Sequence, residues 1–389
     1  MTTNLNPNNS RIDVADVLRG LSVVAILLLH SIEHFNFYSF PDTSEQCAFL
    51  NFMDKAVWDG MFFAFGGKAY AIFAMLFGFS FYIQDRNQTQ RGRDFRLRFC
   101  WRLILLLVIG NINAIFFTAE VLVLFALVGF VLPLTCRLSD KTLLVIAAVC
   151  LVQPVALYYT IHASLDPEFV TPAIATRSYW AACREMQSGG TFLEMARVNL
   201  VEGQIASLAW AWDNGRFFQT AALFIIGMLV GRRSLFEEQN LKVWYWVGGV
   251  ALLCFFPLSG LTDMLPKYIE SKSILVPLKL ILSSLSKFSF MLLLVSAVLI
   301  LYYKTAAQKR MRGIISYGKM SLTNYISQSF VGAVIFYNWG FGLHDNLTIT
   351  MSILVGVVLV IVQIWACNWW MRSHKQGPLE YLWKRATWL

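Results

Sequence analysis

The sequence predicts an all-α polytopic membrane protein with about ten transmembrane helices and both termini in the cytoplasm. Of its 389 residues, 57% are apolar and only 14% are charged, whereas soluble domains carry about 25% charged residues. The mean hydropathy is +0.57, and the apolar residues form long runs separated by basic linkers. This composition excludes a disordered chain, a collagen, a secreted disulfide scaffold and a nucleic-acid-binding protein, despite the formal net charge of +9.

Ten segments are long and apolar enough to cross a membrane, which requires roughly 20 residues for a hydrocarbon layer about 30 Å thick. They are 16–38, 58–83, 99–118, 121–136, 142–162, 206–230, 243–261, 274–303, 314–339 and 347–371. The fourth is short, and polar residues 213–216 interrupt the sixth, where they can mark a broken helix. We expect a single domain, 1–389, whose longest outer loop, 163–205, either covers a site or only lies on the surface.

The basic residues predict the orientation of the bundle. Of 32 Lys and Arg residues, 21 fall in the predicted inner segments and six in the outer loops. Because cytoplasmic loops are enriched in Lys and Arg, this pattern favours an even number of spans. We expect the bacterial cytoplasmic (inner) membrane as the location, and a homodimer is compatible with such a bundle.

The first span has a polar face. Four of its ionisable residues, Asp16, Arg19, His30 and His34, fall within a sector of about 60° on a helix that turns about 100° per residue. Arg19 and His30 are about 16 Å apart along the helix axis. Ionisable residues inside a membrane are costly and usually functional, although two histidines that only make packing hydrogen bonds remain an alternative. No third ligand with suitable spacing accompanies the two histidines, so we expect no metal.

Two of the seven cysteines, Cys47 and Cys183, lie in predicted outer loops. An oxidising compartment would permit a disulfide between them. The other five lie in or near spans, where free cysteines pack as small apolar side chains.

Several motifs resemble known membrane families. Arg19 and His30, with ten residues between them, resemble the R-x10-H signature that opens the acyltransferase-3 family. The remainder of the chain resembles the YeiB-like family, which is defined as a domain of unknown function. The stretches that carry this second resemblance are Lys68–Gly78, Arg98–Gly129, Gln219 with Gly227 and Arg232, Gly318–Gln328 and Gln376–Lys384.

Both families are grouped with heparan-α-glucosaminide N-acetyltransferase in a transmembrane acyltransferase superfamily. The resemblance implies an enzyme that moves an acetyl or other short acyl group from cytoplasmic acetyl-CoA, or another acyl-CoA, to an extracytoplasmic sugar or small molecule. A hydroxyl or an amine of that acceptor would receive the group. YeiB-like proteins often carry Asn in place of His30, His in place of Asn113 and Asp in place of Glu120, so the polar positions are kept while their identities are exchanged.

Acyl transfer needs a general base, and an imidazole has a suitable pKa near neutrality. We expect His30 to deprotonate the acceptor and Glu33 to orient an imidazole, while His34 binds the acceptor or exchanges roles with His30. The residues expected to bind the acyl-CoA are Arg19, Lys68, Arg98, Arg102, Lys319, Ser321, Asn324, Tyr325 and Gln328. The other polar residues expected in the cavity are Asp16, Asn111, Asn113, Glu120 and Gln219. For Ser321, Asn324 and Gln328, interhelical hydrogen bonding is an equal alternative.

A different class of function also fits the polar face. In a proton-coupled secondary transporter or permease of a small solute, this face would relay protons, and Lys68 or Arg216 would neutralise an anion. Transporters often show internal repeats and broken helices, and the two halves of this chain show no convincing repeat. A scaffold without activity is a third alternative. The partners expected for the enzyme are the lipid bilayer, the acyl-CoA and the extracytoplasmic acceptor, and no nucleic acid.

Overall fold

The computed structural model describes residues 12–172 and 174–388, and these residues form helices and turns without a strand. The helices are α1 Asp13–Ile32, α2 Ala48–Phe65, α3 Lys68–Thr89, α4 Arg96–Ala114, α5 Leu122–Gly129, α6 Val131–Thr135, α7 Asp140–Leu151, α8 Pro154–Leu165, α9 Arg177–Gly189, α10 Phe192–Val198, α11 Gln204–Asp213, α12 Arg216–Arg232, α13 Leu241–Tyr268, α14 Lys272–Lys304, α15 Ala307–Arg310, α16 Arg312–Lys319, α17 Ser321–Phe336, α18 Ile349–Trp370 and α19 Pro378–Thr387. Within the described residues, six helical segments are long and apolar enough to cross a membrane, or seven if α7 and α8 form one bent span. The chain is therefore an integral membrane protein.

Five of the predicted spans are single long helices, namely α1, α4, α13, α14 and α18. The other five are interrupted: 58–83 falls on α2 and α3, 121–136 on α5 and α6, 142–162 on α7 and α8, 206–230 on α11 and α12, and 314–339 on α16 and α17. The break predicted at residues 213–216 is confirmed, whereas the continuous helix expected over 58–83 is wrong. The count of ten is not confirmed, because the described helices give six or seven candidate spans by length and composition. The cytoplasmic position of both termini stays a prediction, and N-terminal residues such as Arg11 lie outside the described part.

Three of the breaks have a visible local cause. Gly67 and Gly215 precede α3 and α12 with φ of 73° and 63°, a left-handed conformation that favours glycine. Gln153 has φ 59° and is followed by Pro154, which lacks the N–H that a continuous helix needs. The two helices on either side of Gln153 are bent by 51°. Helices α3, α8 and α12 therefore begin inside the bundle rather than at its surface.

Helix α1 lies at the centre of the molecule. Of its most apolar window, 72% is buried, against 17% for α18 at the periphery. The helix ends at Ile32 rather than near residue 38 as predicted, and Phe37 and Tyr38 in the following turns have φ of 56° and 57°. His34 therefore lies beyond the helix end. Because most of α1 is buried, its polar face lies against protein rather than lipid.

Two pairs of helices approach each other so closely that only glycine fits between them. A Cβ on Gly318 of α16 would overlap the carbonyl oxygen of Asp16 on α1. Similarly, a Cβ on Gly78 of α3 would overlap the carbonyl oxygen of Phe224, and a Cβ on Gly227 of α12 would overlap that of Met75. The first contact brings the start of the 318–328 motif beside the first half of α1.

The predicted outer loop 163–205 is largely helical, since it contains α9 and α10. The disulfide expected in this region does not form: Cys47 is exposed, Cys183 is buried, and both are free. The Sγ atom of Cys183 instead packs 3.5 Å from the position that a Cβ on Gly203 would occupy. The interior packing of α9 therefore holds this cysteine away from the surface.

Candidate functional site

Two cavities lie at opposite ends of α1. The first, here called the arginine cavity, has a volume of about 780 Å³ and is lined by Asp16 and Arg19 from the first half of the helix. The second, the histidine cavity, has a volume of about 1200 Å³ and is lined by His30, Glu33 and His34. Both volumes are within or near the range of about 300–1,000 Å³ that is usual for ligand pockets. The predicted polar face thus connects two separate sites.

The arginine cavity is rich in cations. Its basic lining residues are Arg19, Arg86, Arg102, Lys319 and Lys384. Its acidic lining residues are Asp16 and Glu380. Arg19 donates a hydrogen bond of 2.6 Å to Asp16 and one of 2.9 Å to Ser80, while Lys319 Nζ lies 3.7 Å from Asp13 Oδ1. The excess of positive charge suits an anionic ligand, and guanidinium groups suit phosphate in particular.

The C-terminal helix α19 forms one wall of the arginine cavity. Glu380 accepts hydrogen bonds from the backbone N–H groups of Leu322 and Thr323, at 2.7 and 3.1 Å, and so caps the start of α17. The ring centroid of Trp383 lies 3.6 Å from Cζ of Arg102, and its indole N–H donates to the Arg102 carbonyl oxygen at 3.2 Å. The terminal motif singled out in the sequence therefore orients a predicted phosphate-binding arginine.

In the histidine cavity, one carboxylate lies between two imidazoles. Glu33 Oε1 is 3.5 Å from Nδ1 of His30 and 3.5 Å from Nε2 of His34, and Tyr38 donates a hydrogen bond of 3.3 Å to Glu33 Oε2. The ring of Phe117 packs against both imidazoles, with centroids 4.6 and 5.5 Å away. The distance of 3.5 Å is long for a hydrogen bond, and such contacts often shorten when substrate binds. The geometry lets Glu33 orient either imidazole.

The same three side chains are also capable of binding a metal ion. One donor atom from each of His30, Glu33 and His34 lies within 4.8 Å of the others. Imidazole nitrogens and a carboxylate oxygen are the ligands of several catalytic zinc sites. The spacing of the histidines in the sequence predicts no third ligand. In the structure, α1 ends at Ile32 and the turn that follows brings the Glu33 carboxylate beside both imidazoles.

Tyr325 separates the two cavities. Within the described part of the chain, it is the residue that lines both of them. Its side chain is 1% exposed, and its hydroxyl, near the backbone of Val121, makes no hydrogen bond of good geometry with any described residue. A buried hydroxyl without a well-placed partner is costly, so it is available to a ligand that extends from one cavity to the other.

The histidine cavity is also lined by five basic residues, and three of them, Lys68, Arg216 and Lys287, belong to α3, α12 and α14, while the other two, Arg177 and Arg184, belong to α9. Lys68 was predicted to bind the acyl-CoA, but it lies in this cavity and not in the arginine cavity, where the donor is expected. It donates hydrogen bonds to the carbonyl oxygens of Phe62 and Phe63. Lys287 was not predicted as a site residue, although its position in an apolar span was a usable signal.

Five of the nine residues predicted to bind acyl-CoA line the arginine cavity, namely Arg19, Arg102, Lys319, Ser321 and Tyr325. Arg98 lies elsewhere, because it donates a hydrogen bond of 2.9 Å to the Thr387 carbonyl oxygen at the end of α19. Asn324 donates to the Tyr317 carbonyl oxygen at 3.0 Å and accepts from Cys367, which is the interhelical alternative. Gln328 is buried and lines neither cavity.

Of the other polar residues predicted for the cavity, Asp16 and Glu120 line one of the two cavities, whereas Asn111, Asn113 and Gln219 line neither. Asn113 donates a hydrogen bond to Glu120, which lines the histidine cavity. Gln219 accepts a hydrogen bond of 2.8 Å from Arg216. Asn111 donates to the Leu107 carbonyl oxygen of its own helix at 2.8 Å and lines neither cavity. Of the covering loop, α9 contributes residues such as Arg184 and Gln187 to the histidine cavity.

Comparison with known proteins gives relatives without a described activity. Residues 230–389 match the family model "Protein of unknown function (DUF418)". The chain is 26% identical to "Uncharacterized protein YxaH" of Bacillus subtilis (strain 168), over 98% of this chain and 95% of that protein. It is 23% identical to an "Uncharacterized 39.9 kDa protein in amylase 3'region" of Bacillus acidopullulyticus, over 97% and 94% of the two chains.

A shorter similarity involves "Uncharacterized protein YeiB" of Escherichia coli (strain K12), which is 32% identical over 76 residues, or 18% of each chain. No solved structure matches. The C-terminal two fifths of the chain, with α13 to α19, thus carry the DUF418 pattern, and the similarity to bacterial relatives extends over nearly the whole length.

Proposed function

We propose that the protein is a member of the YeiB-like DUF418 family that acts as a membrane acyltransferase, taking an acetyl or other short acyl group from acyl-CoA in the arginine cavity. The group is transferred to a hydroxyl or amine of an acceptor in the histidine cavity. The arginine cavity faces the cytoplasm of the bacterial inner membrane and the histidine cavity faces the opposite side.

One observation carries this proposal: a cationic cavity and an imidazole cavity meet at a single buried tyrosine, Tyr325. Cations hold the phosphates of the donor, and the acyl end of the donor reaches toward Tyr325. His30, paired with Glu33, removes the proton of the attacking hydroxyl or amine. The new bond to the acyl carbon forms as the thioester C–S bond breaks, and the CoA thiolate leaves and takes up a proton to give free CoA. Charge that develops on the thioester oxygen needs a donor close to the junction, and the Tyr325 hydroxyl supplies it.

Acetyl-CoA binding tests the donor side of the proposal. We expect purified protein to bind acetyl-CoA in isothermal titration calorimetry, and Arg102→Gln and Lys319→Gln to weaken that binding about tenfold each, since a hydrogen bond to a charged group contributes roughly 1.5–3 kcal/mol. Arg93→Gln is the matched control, because Arg93 is an exposed residue of the loop before α4 and lines neither cavity. Equal affinity in all four proteins would contradict the assigned donor site.

Replacing Tyr325 by phenylalanine tests the junction. We expect Tyr325→Phe to lower kcat for acyl transfer by about 10²-fold, the loss that follows removal of one oxyanion donor, with acetyl-CoA affinity kept within a few-fold. Tyr381→Phe, which alters an exposed tyrosine of α19, serves as the control. A rise in KM for the donor with kcat unchanged would mean that Tyr325 only contributes to binding.

The helix breaks favour a second candidate, a transporter of a small anion. Gly66 and Gly67 line the histidine cavity at the start of α3, and Gln153 of the α7–α8 bend packs against Gly215 at the start of α12. Broken helices that meet at a central site are typical of secondary transporters. Acetyl-CoA binding separates the two candidates, because a transporter of a small solute has no need of it.

A further inference from the structure

We propose that the histidine cavity contains an oxyanion-binding site formed by Lys68, Arg216 and Lys287, and that the acceptor carries a carboxylate or phosphate group that binds there. The identification of this anion as part of the acceptor rests on the proposed acyl transfer. The binding of an oxyanion does not.

The three cations are gathered around one backbone turn. A Cβ placed on Gly67 would lie 3.3 Å from Nη2 of Arg216 and 3.4 Å from Cδ of Lys287, and Lys68 is the next residue. Gly67 has no side chain, so the Arg216 and Lys287 side chains can approach the turn. All three cations also line the cavity that contains His30.

The positive charge of the three side chains is not neutralised locally. Among the described residues, no salt bridge joins Lys68, Arg216 or Lys287 to a carboxylate. Glu33 of the same cavity attracts Arg216 only at longer range, and it already lies between the two imidazoles. The cavity has two further carboxylates, and neither Glu120, which accepts hydrogen bonds from Asn113 and from the Leu122 backbone N–H, nor Glu185 forms a salt bridge with the three cations. Buried like charges without a paired counter-ion are strongly unfavourable, which an anion from outside the chain would relieve.

The hydrogen bonds of these cations go to neutral groups. Lys68 donates to two backbone carbonyl oxygens. Arg216 donates to the amide of Gln219, and its Cζ lies 4.9 Å from the ring centroid of Tyr70. These contacts position the cations and leave their net charge unchanged.

Two helix N-termini add to the positive field. Helix α3, of 22 residues, begins at Lys68, and α12, of 17 residues, begins at Arg216. The residues before them, Gly67 and Gly215, adopt a left-handed conformation, and neither residue has a side chain that could cap its helix. Uncapped N–H groups and the positive end of the helix dipole favour an anion at such a position. The cationic side chains and the backbone N–H groups therefore both favour a negatively charged ligand.

The surroundings of the site fit one part of a larger molecule. Tyr70 and Trp210 line the same cavity, and Cζ of Arg216 lies 5.5 Å from the Trp210 ring centroid. The cavity, at about 1200 Å³, exceeds the volume of a carboxylate or phosphate group several times. An acceptor held by its oxyanion at the cations can thus extend its hydroxyl or amine toward His30, which makes small anionic sugars and carboxylate-bearing compounds the expected class.

Anion binding can be measured without any acyl transfer. The full chain is reconstituted in nanodiscs of phosphatidylcholine and titrated with inorganic phosphate or with succinate at constant ionic strength, and the melting temperature and tryptophan fluorescence are followed. The variants are Arg216→Gln and Lys287→Met. The control is Lys279→Met, which changes an exposed lysine of the same helix as Lys287, α14, outside the cavity.

We expect a saturable response to at least one probe in the wild type and in Lys279→Met, and an apparent Kd at least tenfold weaker in Lys287→Met and Arg216→Gln. If Arg216→Gln does not fold, Lys287→Met alone decides. Identical titrations in the wild type and Lys287→Met, or no saturable response to either probe, would overturn the site. If phosphatidylglycerol in the nanodiscs displaces the probe, the cation cluster is supported and its oxyanion is a lipid headgroup. Acetyl-CoA affinity is also measured in Lys287→Met. An unchanged affinity shows that the weaker anion binding of this variant does not come from a loss of the donor site.

Discussion

Replacing His30 by alanine is expected to lower the rate of acyl transfer by about 10²–10⁴-fold, the usual contribution of a general base. Acetyl-CoA affinity should change by no more than a few-fold, because His30 lines the histidine cavity and Arg19 and Arg102 line the other one. The measurement is transfer of labelled acetyl from acetyl-CoA, followed as a kcat, together with calorimetric binding of the donor. His374→Ala is the matched control, since His374 is exposed and stacks on Trp370 far along the chain from both histidines.

The arrangement of the two imidazoles predicts unequal effects within the cluster. Because Glu33 Oε1 is 3.5 Å from both rings, Glu33→Gln should reduce transfer less than His30→Ala, since it removes the group that orients the base and keeps the base itself. Undiminished transfer in both His30→Ala and His34→Ala would eliminate the proposed base. A chelator that abolishes activity in the wild type, with Zn²⁺ restoring it, would instead assign the three donor atoms to a metal ion, provided that the chelator has no such effect in His34→Ala.

The second large effect concerns the contact between α3 and α12. Gly227→Ala is expected to destabilise the protein by at least about 1–3 kcal/mol, the usual cost of overpacking a close contact, because the new methyl group would overlap the Met75 carbonyl oxygen. Gly78→Ala should have the same effect at the reciprocal position, where the methyl group would meet the Phe224 carbonyl oxygen. Backbone atoms cannot rotate away as side chains do, so the two helices would have to separate.

The matched control for this contact is Gly249→Ala. Gly249 lies within α13, and a methyl group added there would meet no described atom outside its own helix within 4 Å, so alanine should stabilise the helix by roughly 0.5–1 kcal/mol. The melting temperature in detergent, followed by fluorescence-detected size-exclusion chromatography, compares the variants. Equal melting temperatures in Gly227→Ala and Gly249→Ala would show that the α3–α12 contact is looser than the structure indicates.

The hydropathy pattern predicted the long helices well because each depends on a local property, the sum of apolar side chains over about 20 residues. It predicted a span over 274–303, and helix α14 extends over Lys272–Lys304. It failed at Gly66–Gly67, where two glycines inside an apolar run do not lower the hydropathy enough to mark a break. The left-handed φ of Gly67 is a conformational property that hydropathy does not measure.

The site was predicted in part for a similar reason. Helical periodicity placed Arg19 and His30 on one face, and these residues do line the two cavities. The role of Arg98 could not be read from the same pattern, because its hydrogen-bond acceptor, Thr387, is 289 positions away. Lys68 lies in the histidine cavity rather than beside Arg19, because it is the first residue of α3 after the break at Gly67, which hydropathy does not reveal.

The single tyrosine shared by the two cavities has a consequence for the energetics of the cell. A continuous water-filled passage through the protein would dissipate the proton and sodium gradients that the membrane stores. Tyr325 is only 1% exposed and lines both chambers, so in the proposed acyltransferase this side chain would block hydrated ions between the chambers while the acyl group passes beside it. Such an enzyme would carry out its chemistry across the bilayer without electrical leakage.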